Sequence, residues 1–326
     1  MVNVSIQIKN FVLQKSELVL QIIRAARPIH WIKNLALFGA LLLTGTLYET
    51  GLFKDVLIAF FSFSFATSAT YIFNDLLDLK SDRLHPVKKH RPIASGKLPA
   101  YIAILELIVF IFLSLTVAIS LNQLFFTLTL VYLIIQIFYS LGLKNTPVID
   151  ILVIASGFII RVYAGAFIIN AHLSVWFLLC VVSASLFLAA GKRRAEINLL
   201  EAVDGGTRKS LTKYSKELLN SYVTMFGNAT WMSWSLYTFF ESPKASLDFW
   251  LRLAELSRAT TIDKLMMLTI PVVIFGIMRY EALIFEGKSE APEKLLLTDK
   301  ALIIALGLWI AIVYWILYSG VSVSGI

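Results

Sequence analysis

Three carboxylates, Asp75, Asp78 and Asp82, stand three and four residues apart in NDLLDLKSDRLHPVKKHRPIASGKLP, residues 74–99. Continued as a helix, that spacing brings all three to one face within about two turns. Like charges so placed repel, and the arrangement costs stability unless a cation sits among them. An all-oxygen site suits Mg2+, which keeps part of its water and takes phosphate oxygens as further ligands. The chemistry implied is metal-assisted handling of a phosphorylated substrate. Arg83, Lys88, Lys89, Arg91 and Lys97 follow directly, cations for phosphate groups that the metal does not reach. The basic residues alone carry the ordinary meaning of a cytoplasmic loop. Acidic residues add little to topology and need another reason to gather at a membrane edge.

Further polar sets lie elsewhere. RPIHWIKN contributes Arg27, His30, Trp31, Lys33 and Asn34; Trp31 and Lys33 have the types of interfacial anchors, and Asn34, one turn further in, suits a polar cavity equally well. In YSLGLKNTPVIDILVIASGFIIRVYAGAF, residues 139–167, Tyr139 opens the segment, Lys144 is the basic residue of a very short loop, and Asp150 opens a helix. Arg161 falls on the same helix face as Asp150 and Gly157, yet about 16 Å from Asp150 along the axis, too far to pair directly. An Arg within a span turns toward a cavity or a structural partner. The third set is GKRRAEINLLEAVDGGTRKSLTKYS, residues 191–215, with Lys192, Arg193, Arg194, Arg208 and Lys209. Lys192 and Glu196 have the spacing of a surface helix pair. Arg279, Glu293 and Asp299, near the end, have structural roles by default.

These sets must be positioned by a membrane protein. Hydrophobic residues make up 58% of the chain, charged residues 15%, and the mean hydropathy is +0.78, beyond the range of a soluble domain. The expected fold is all-α, a single polytopic domain over residues 1–326, with residues 1–30 lying along the membrane surface. At about 20 apolar residues per span, nine helices are expected: 33–49, 54–76, 99–120, 123–141, 148–169, 173–191, 218–240, 265–286 and 301–319. Of the 29 Lys and Arg residues, 23 then fall on the N-terminal side and 5 on the other, with Arg161 inside a helix. That asymmetry places the N-terminus and the charged loops in the cytoplasm and the C-terminus outside a cell (inner) membrane. The loop 241–264 contains SLDFWLRLAEL, the pattern of an amphipathic surface helix. The single cysteine, Cys180, excludes an internal disulfide and a cysteine-based metal site. The net charge of +8 follows membrane side, so no nucleic-acid partner is implied.

NDLLDLKSD matches the NDxxDxxxD signature of the UbiA superfamily of intramembrane prenyltransferases. DRLHPVKKHRPIASGKLP, RPIHWIKN, YSLGLK, SGFIIRVYAGA, GKRRAE, RYEAL and APEKLLLTDKAL further resemble its decaprenyl-phosphate phosphoribosyltransferase branch. The resemblance implies a nine-helix bundle with a central cavity open to the cytoplasm, a Mg2+ requirement, and transfer of 5-phosphoribose from phosphoribosyl diphosphate to a polyprenyl phosphate. By position, the metal ligands fall on Asp75, Asp78 and Asp82, which with Lys192 and Arg193 form the expected catalytic set. Substrate contacts are expected at Lys33, Asn34, Asn74, Lys88, Arg91, Tyr139, Lys144, Asp150, Arg161, Arg194 and Glu196. The departure from the superfamily is its second aspartate-rich motif, in whose place stands GKRRAE. Prenyl transfer from a prenyl diphosphate to an aromatic or lipid acceptor is the alternative chemistry. A transporter or flippase built around Arg161 is the alternative class, and it leaves the three carboxylates without a task.

Overall fold

A computed structural model describes residues 16–202, 214–241, 262–286, 295 and 298–319. Among these every regular element is helical, and seven helices are long and apolar enough to cross a membrane. The helices are α1 (Phe38–Leu43), α2 (Thr50–Leu77), α3 (Leu79–Leu84), α4 (Ala100–Leu121), α5 (Gln123–Leu141), α6 (Ile149–Ile168), α7 (Val175–Ala202), α8 (Lys216–Phe240), α9 (Ile270–Phe285) and α10 (Lys300–Tyr318). The surface helix expected within 241–264, together with Arg208, Lys209 and Glu293, lies outside the described residues.

Two expected spans depart from the pattern. The segment expected as one helix over 33–49 is a 3-10 helix, Pro28–Leu37, followed by the six residues of α1. It stops where the Thr44 hydroxyl turns back onto the Ala40 carbonyl at 2.9 Å and Gly45 takes a left-handed φ of 79°. The second, α8, forms as a full helix of 25 residues but is not among the seven, because Asn220, Asn228 and several hydroxyl residues dilute its apolar face.

The chain divides into two compact units. The first holds residues up to Leu35 and Leu57–Lys144. Its core joins Ala25, Ile72, Ile93, Leu98 and Ala103, so the helical residues 16–26, the end of α2, the loop after α3 and the start of α4 share one packed cluster. Polar groups sew the same elements together: Ser68 donates to the Ala26 carbonyl at 2.7 Å, and the Trp31 indole N–H donates to Ser68 at 2.9 Å. Asn122 lets α4 reverse into α5, its extended backbone ending one helix while its side chain accepts from Leu124 N–H at 2.7 Å to cap the next. The remaining face of α4 exposes Leu105, Ile108 and Phe112, a pattern suited to lipid rather than water.

The second unit comprises Ala36–Val56 and residues from Asn145 onward. The pairing of α7 with α8 dominates it; Phe187, Ala190 and Ala195 of α7 pack with Val223 of α8 and with Tyr280 and Ile284 of α9. Trp234 donates its indole N–H to Thr269 at 2.8 Å, and Arg279 closes α9 on the N-cap of α10 through Asp299 at 2.7 Å. Gly165 of α6 meets the backbone of Leu37: a Cβ there would stand 2.0 Å from the Leu37 carbonyl oxygen. Backbone cannot yield as a flexible side chain does. Gly165→Ala is therefore expected to lower stability by about 1–3 kcal/mol, read as a lower melting midpoint in detergent; an unchanged midpoint would show that the close approach is not required.

Candidate active site

The carboxylates belong to the first unit. Helix α2 ends at Leu77, and Asp78, with φ of −85° and ψ of 4°, is the step before α3. The break is slight, since Asp78 N–H donates to Asn74 at 2.9 Å and Asp82 N–H to Asp78 at 2.8 Å. The one-turn spacing thus survives into α3. Asp75 and Asp82 are each 2% exposed, while Asp78 is half-buried.

Burying such charges costs several kcal/mol each unless they are paired, and two cations from distant parts of the chain, with a third from the loop after α3, do the pairing. One terminal nitrogen of Arg27 lies 2.6 Å from both oxygens of Asp75. Arg91 Nη1 bridges Asp75 Oδ1 at 3.0 Å and Asp82 Oδ2 at 2.6 Å. Lys144 Nζ reaches the two oxygens of Asp78 at 2.6 and 2.7 Å and Asn74 Oδ1 at 3.2 Å, and Asn74 donates to Asp78 Oδ2 at 3.0 Å. Three negative side chains meet three positive ones. The cation that the aspartate spacing demands is here supplied by the protein, and among the described residues no three acidic, histidine or cysteine side chains converge on a metal-sized point.

The residues nevertheless fit a small divalent ion. Every donor is a hard carboxylate or amide oxygen, the ligand type that Mg2+ takes. The position of Arg91 Nη1 shows that one positive centre can touch Asp75 and Asp82 together.

Arg27 is the residue that sequence reasoning missed as part of this set. It sits just before Pro28 in a left-handed backbone conformation, φ 53°, with its guanidinium 4.9 Å from the Tyr71 ring centre. The signal available was the charge balance of a buried acidic cluster. Asn34, expected at substrate, is fully buried, donating to Ser64 at 2.9 Å and accepting from Thr67 at 3.5 Å. Those bonds make it a strut between the N-terminal segment and α2. Lys33, Lys88 and Tyr139 are half-buried.

In the second unit Asp150 opens α6, fully buried, and Arg193 of α7 is fully buried beside it, Nε to Oδ2 at 2.7 Å. Arg193 Nη1 also pairs with Glu196, one turn further along α7. Tyr214 donates to Asp150 Oδ1 at 2.8 Å and accepts from the N–H of Val148, whose φ of 68° is rare for a β-branched residue. Burial first, and then the Asp150 carboxylate, push the Tyr214 pKa up, so its hydroxyl stays a donor. The guanidinium of Arg193 is thus engaged by two carboxylates in a closed network. These ion pairs join the start of α6 to α7. Arg161 donates to its own helix at Gly157 O, 2.6 Å, and lies over Phe158. Arg194 donates to Asn220 at 2.5 Å with Phe285 beside it, and Lys192 is half-buried. A groove of about 400 Å3 between α9 and α10, lined by Pro271, Phe275, Ala305 and Leu308, is apolar and holds no group for phosphate.

Comparison with known proteins supplies the decisive observation: the profile of the UbiA prenyltransferase family matches residues 35–241. The chain belongs to that family. Among UbiA relatives, the decaprenyl-phosphate phosphoribosyltransferase of Corynebacterium glutamicum is 35% identical over 302 residues, covering 91% of this chain and 86% of the relative. That of Mycolicibacterium smegmatis is 36% identical over 297 residues, covering 90% and 91%. The fold is that of a solved UbiA homologue from Archaeoglobus fulgidus bound to DMAPP and Mg2+, with a TM-score of 0.67 at 20% identity over 91% of this chain and 99% of that one.

Proposed function

We propose that this UbiA-family chain is a transferase that passes 5-phosphoribose from phosphoribosyl diphosphate to a polyprenyl phosphate, of decaprenyl type, releasing diphosphate. The observation that carries the reading is identity of 35–36% to two decaprenyl-phosphate phosphoribosyltransferases over 90–91% of the chain. The basic GKRRAE segment supports it: a prenyl diphosphate has its charge at one end, whereas phosphoribosyl diphosphate carries a further phosphate that cations receive and aspartates repel.

In this proposal Asp75, Asp78 and Asp82, with Asn74 beside them, hold Mg2+, which supplies charge neutralisation on the leaving diphosphate. Lys144, Arg91 and Lys88 neutralise diphosphate oxygens, while Lys192, Arg194 and Arg161 serve the sugar or lipid phosphate; Lys33 and Tyr139 complete the substrate contacts. Arg193, Asp150 and Glu196 contribute by fixing the start of α6 and the cytoplasmic end of α7. An oxygen of the lipid phosphate attacks the anomeric carbon as the bond from that carbon to the diphosphate oxygen breaks, with inversion. The acceptor is already an anion, so no general base takes a proton. Fixed cations that meet the departing charge are the largest expected contribution to rate.

The whole chain serves as one enzyme in the cell membrane, with nine crossings, a cytoplasmic N-terminus and active site, and an external C-terminus. The length of α8, 25 residues or about 37 Å at 1.5 Å per residue, is enough for a crossing despite its polar groups.

Membranes containing the protein are expected to move label from phosphoribosyl diphosphate into the lipid phase when given polyprenyl phosphate and Mg2+, and to release diphosphate in equal amount. The A. fulgidus homologue bound to DMAPP favours a second reading, prenyl transfer. Turnover with isoprenoid diphosphates and none with phosphoribosyl diphosphate would establish that reading instead.

A further inference from the structure

The three acid–base pairs of the first unit impose a constraint on how this site can be filled. Asp75 and Asp82 are nearly closed to solvent, and Arg27, Arg91 and Lys144 bring the set to neutrality. A divalent cation that reaches Asp75 and Asp82 meets Arg91 Nη1 in its place and Arg27 at both oxygens of Asp75. Added without an anion, it would bring two further positive charges into a neutral, largely buried cluster, and the displaced guanidinium groups would lose their partners. An anion that arrives with it removes both difficulties, since Arg27, Arg91 and Lys144 then transfer from carboxylate to phosphate oxygens. The anion alone fares no better, because it must draw the cations away and leave Asp75 and Asp82 buried and unpaired.

We infer that Arg27, Arg91 and Lys144 are exchangeable counter-ions, so that a divalent metal and a diphosphate bind this unit as an interdependent pair and neither binds well alone. Arg27 has a defined part in the exchange, because one of its nitrogens holds both oxygens of Asp75, and through them the carboxylate shared with Arg91. The inference rests on reading this unit as a metal and diphosphate site. It does not depend on which group the donor transfers.

The test uses the full-length protein in detergent, with Mn2+ and inorganic diphosphate as probes, counting what the protein retains after rapid gel filtration. Each probe is expected to raise the affinity for the other by the same factor, about tenfold or more. Arg27→Gln removes one counter-ion from Asp75; Mn2+ alone should then bind more tightly than to the unsubstituted protein, and the mutual enhancement should shrink. Arg91→Gln should act in the same direction and provides a second reading if Arg27→Gln does not fold. Mn2+ bound alone as tightly as with diphosphate, or a metal-only affinity unchanged by both substitutions, would overturn the exchange while leaving the metal site in place. Failure to retain Mn2+ even with diphosphate or phosphoribosyl diphosphate present would overturn the exchange and the assignment of the site together.

Discussion

Asp78→Asn is expected to reduce phosphoribosyl transfer at least about a hundredfold while leaving the protein folded. The carboxylate is half-buried at the step between α2 and α3, and its backbone N–H already has its partner in Asn74. An amide keeps the side chain's shape and its oxygen can still accept from Lys144, while its NH2 finds an acceptor once the half-buried Asn74 side chain turns its own oxygen toward it. What is lost is the negative charge that offsets Lys144 and that is proposed to bind Mg2+. Asp75→Asn should be equally inactive and less stable, because Arg27 and Arg91 both depend on that buried carboxylate. The pair of variants therefore separates chemistry from folding: activity falls in both, and the melting midpoint falls mainly in Asp75→Asn. Retained turnover in Asp78→Asn, with normal expression and melting, would remove the carboxylate set from the mechanism.

The legible part of this protein was local. Apolar length marked most of the spans, and α2, α4, α5 and α6 begin and end within a few residues of where the apolar runs do. The aspartate spacing and its continuation through Asp78 are likewise properties of neighbouring residues. The counter-ions were not legible, because Arg27 and Lys144 stand 48 and 66 positions from their carboxylates and no periodicity links them. The initial 3-10 helix escaped for a related reason: its hydropathy is that of a span, but Pro28, the left-handed Arg27 and the approach of Leu37 to Gly165 set its geometry. The ion pair of Arg193 with Glu196 also joins that residue to the buried Asp150 of another helix, a connection that spacing within one helix does not carry.

Arg193→Met should cost about 3–5 kcal/mol of stability, a larger loss than any other single change considered, with its principal effect on folding rather than on substrate affinity. The side chain is fully buried between Asp150, itself fully buried, and Glu196, so a neutral replacement leaves Asp150 charged in a buried site with, among the described residues, Tyr214 and the Ile151 N–H to stabilise it. A phosphate ligand would behave differently: its loss would raise KM for phosphoribosyl diphosphate and leave melting nearly unchanged. The double variant Asp150→Asn with Arg193→Met removes both charges and should recover a substantial part of the stability lost in the single one, since groups in direct contact do not add independently. Melting in detergent across the four proteins of this cycle, with KM measured on the folded fraction, decides between the roles. A normal midpoint for Arg193→Met combined with a raised KM would return Arg193 to the phosphate-binding set and leave Lys192 and Arg194 without the fixed neighbour on which their proposed positioning depends.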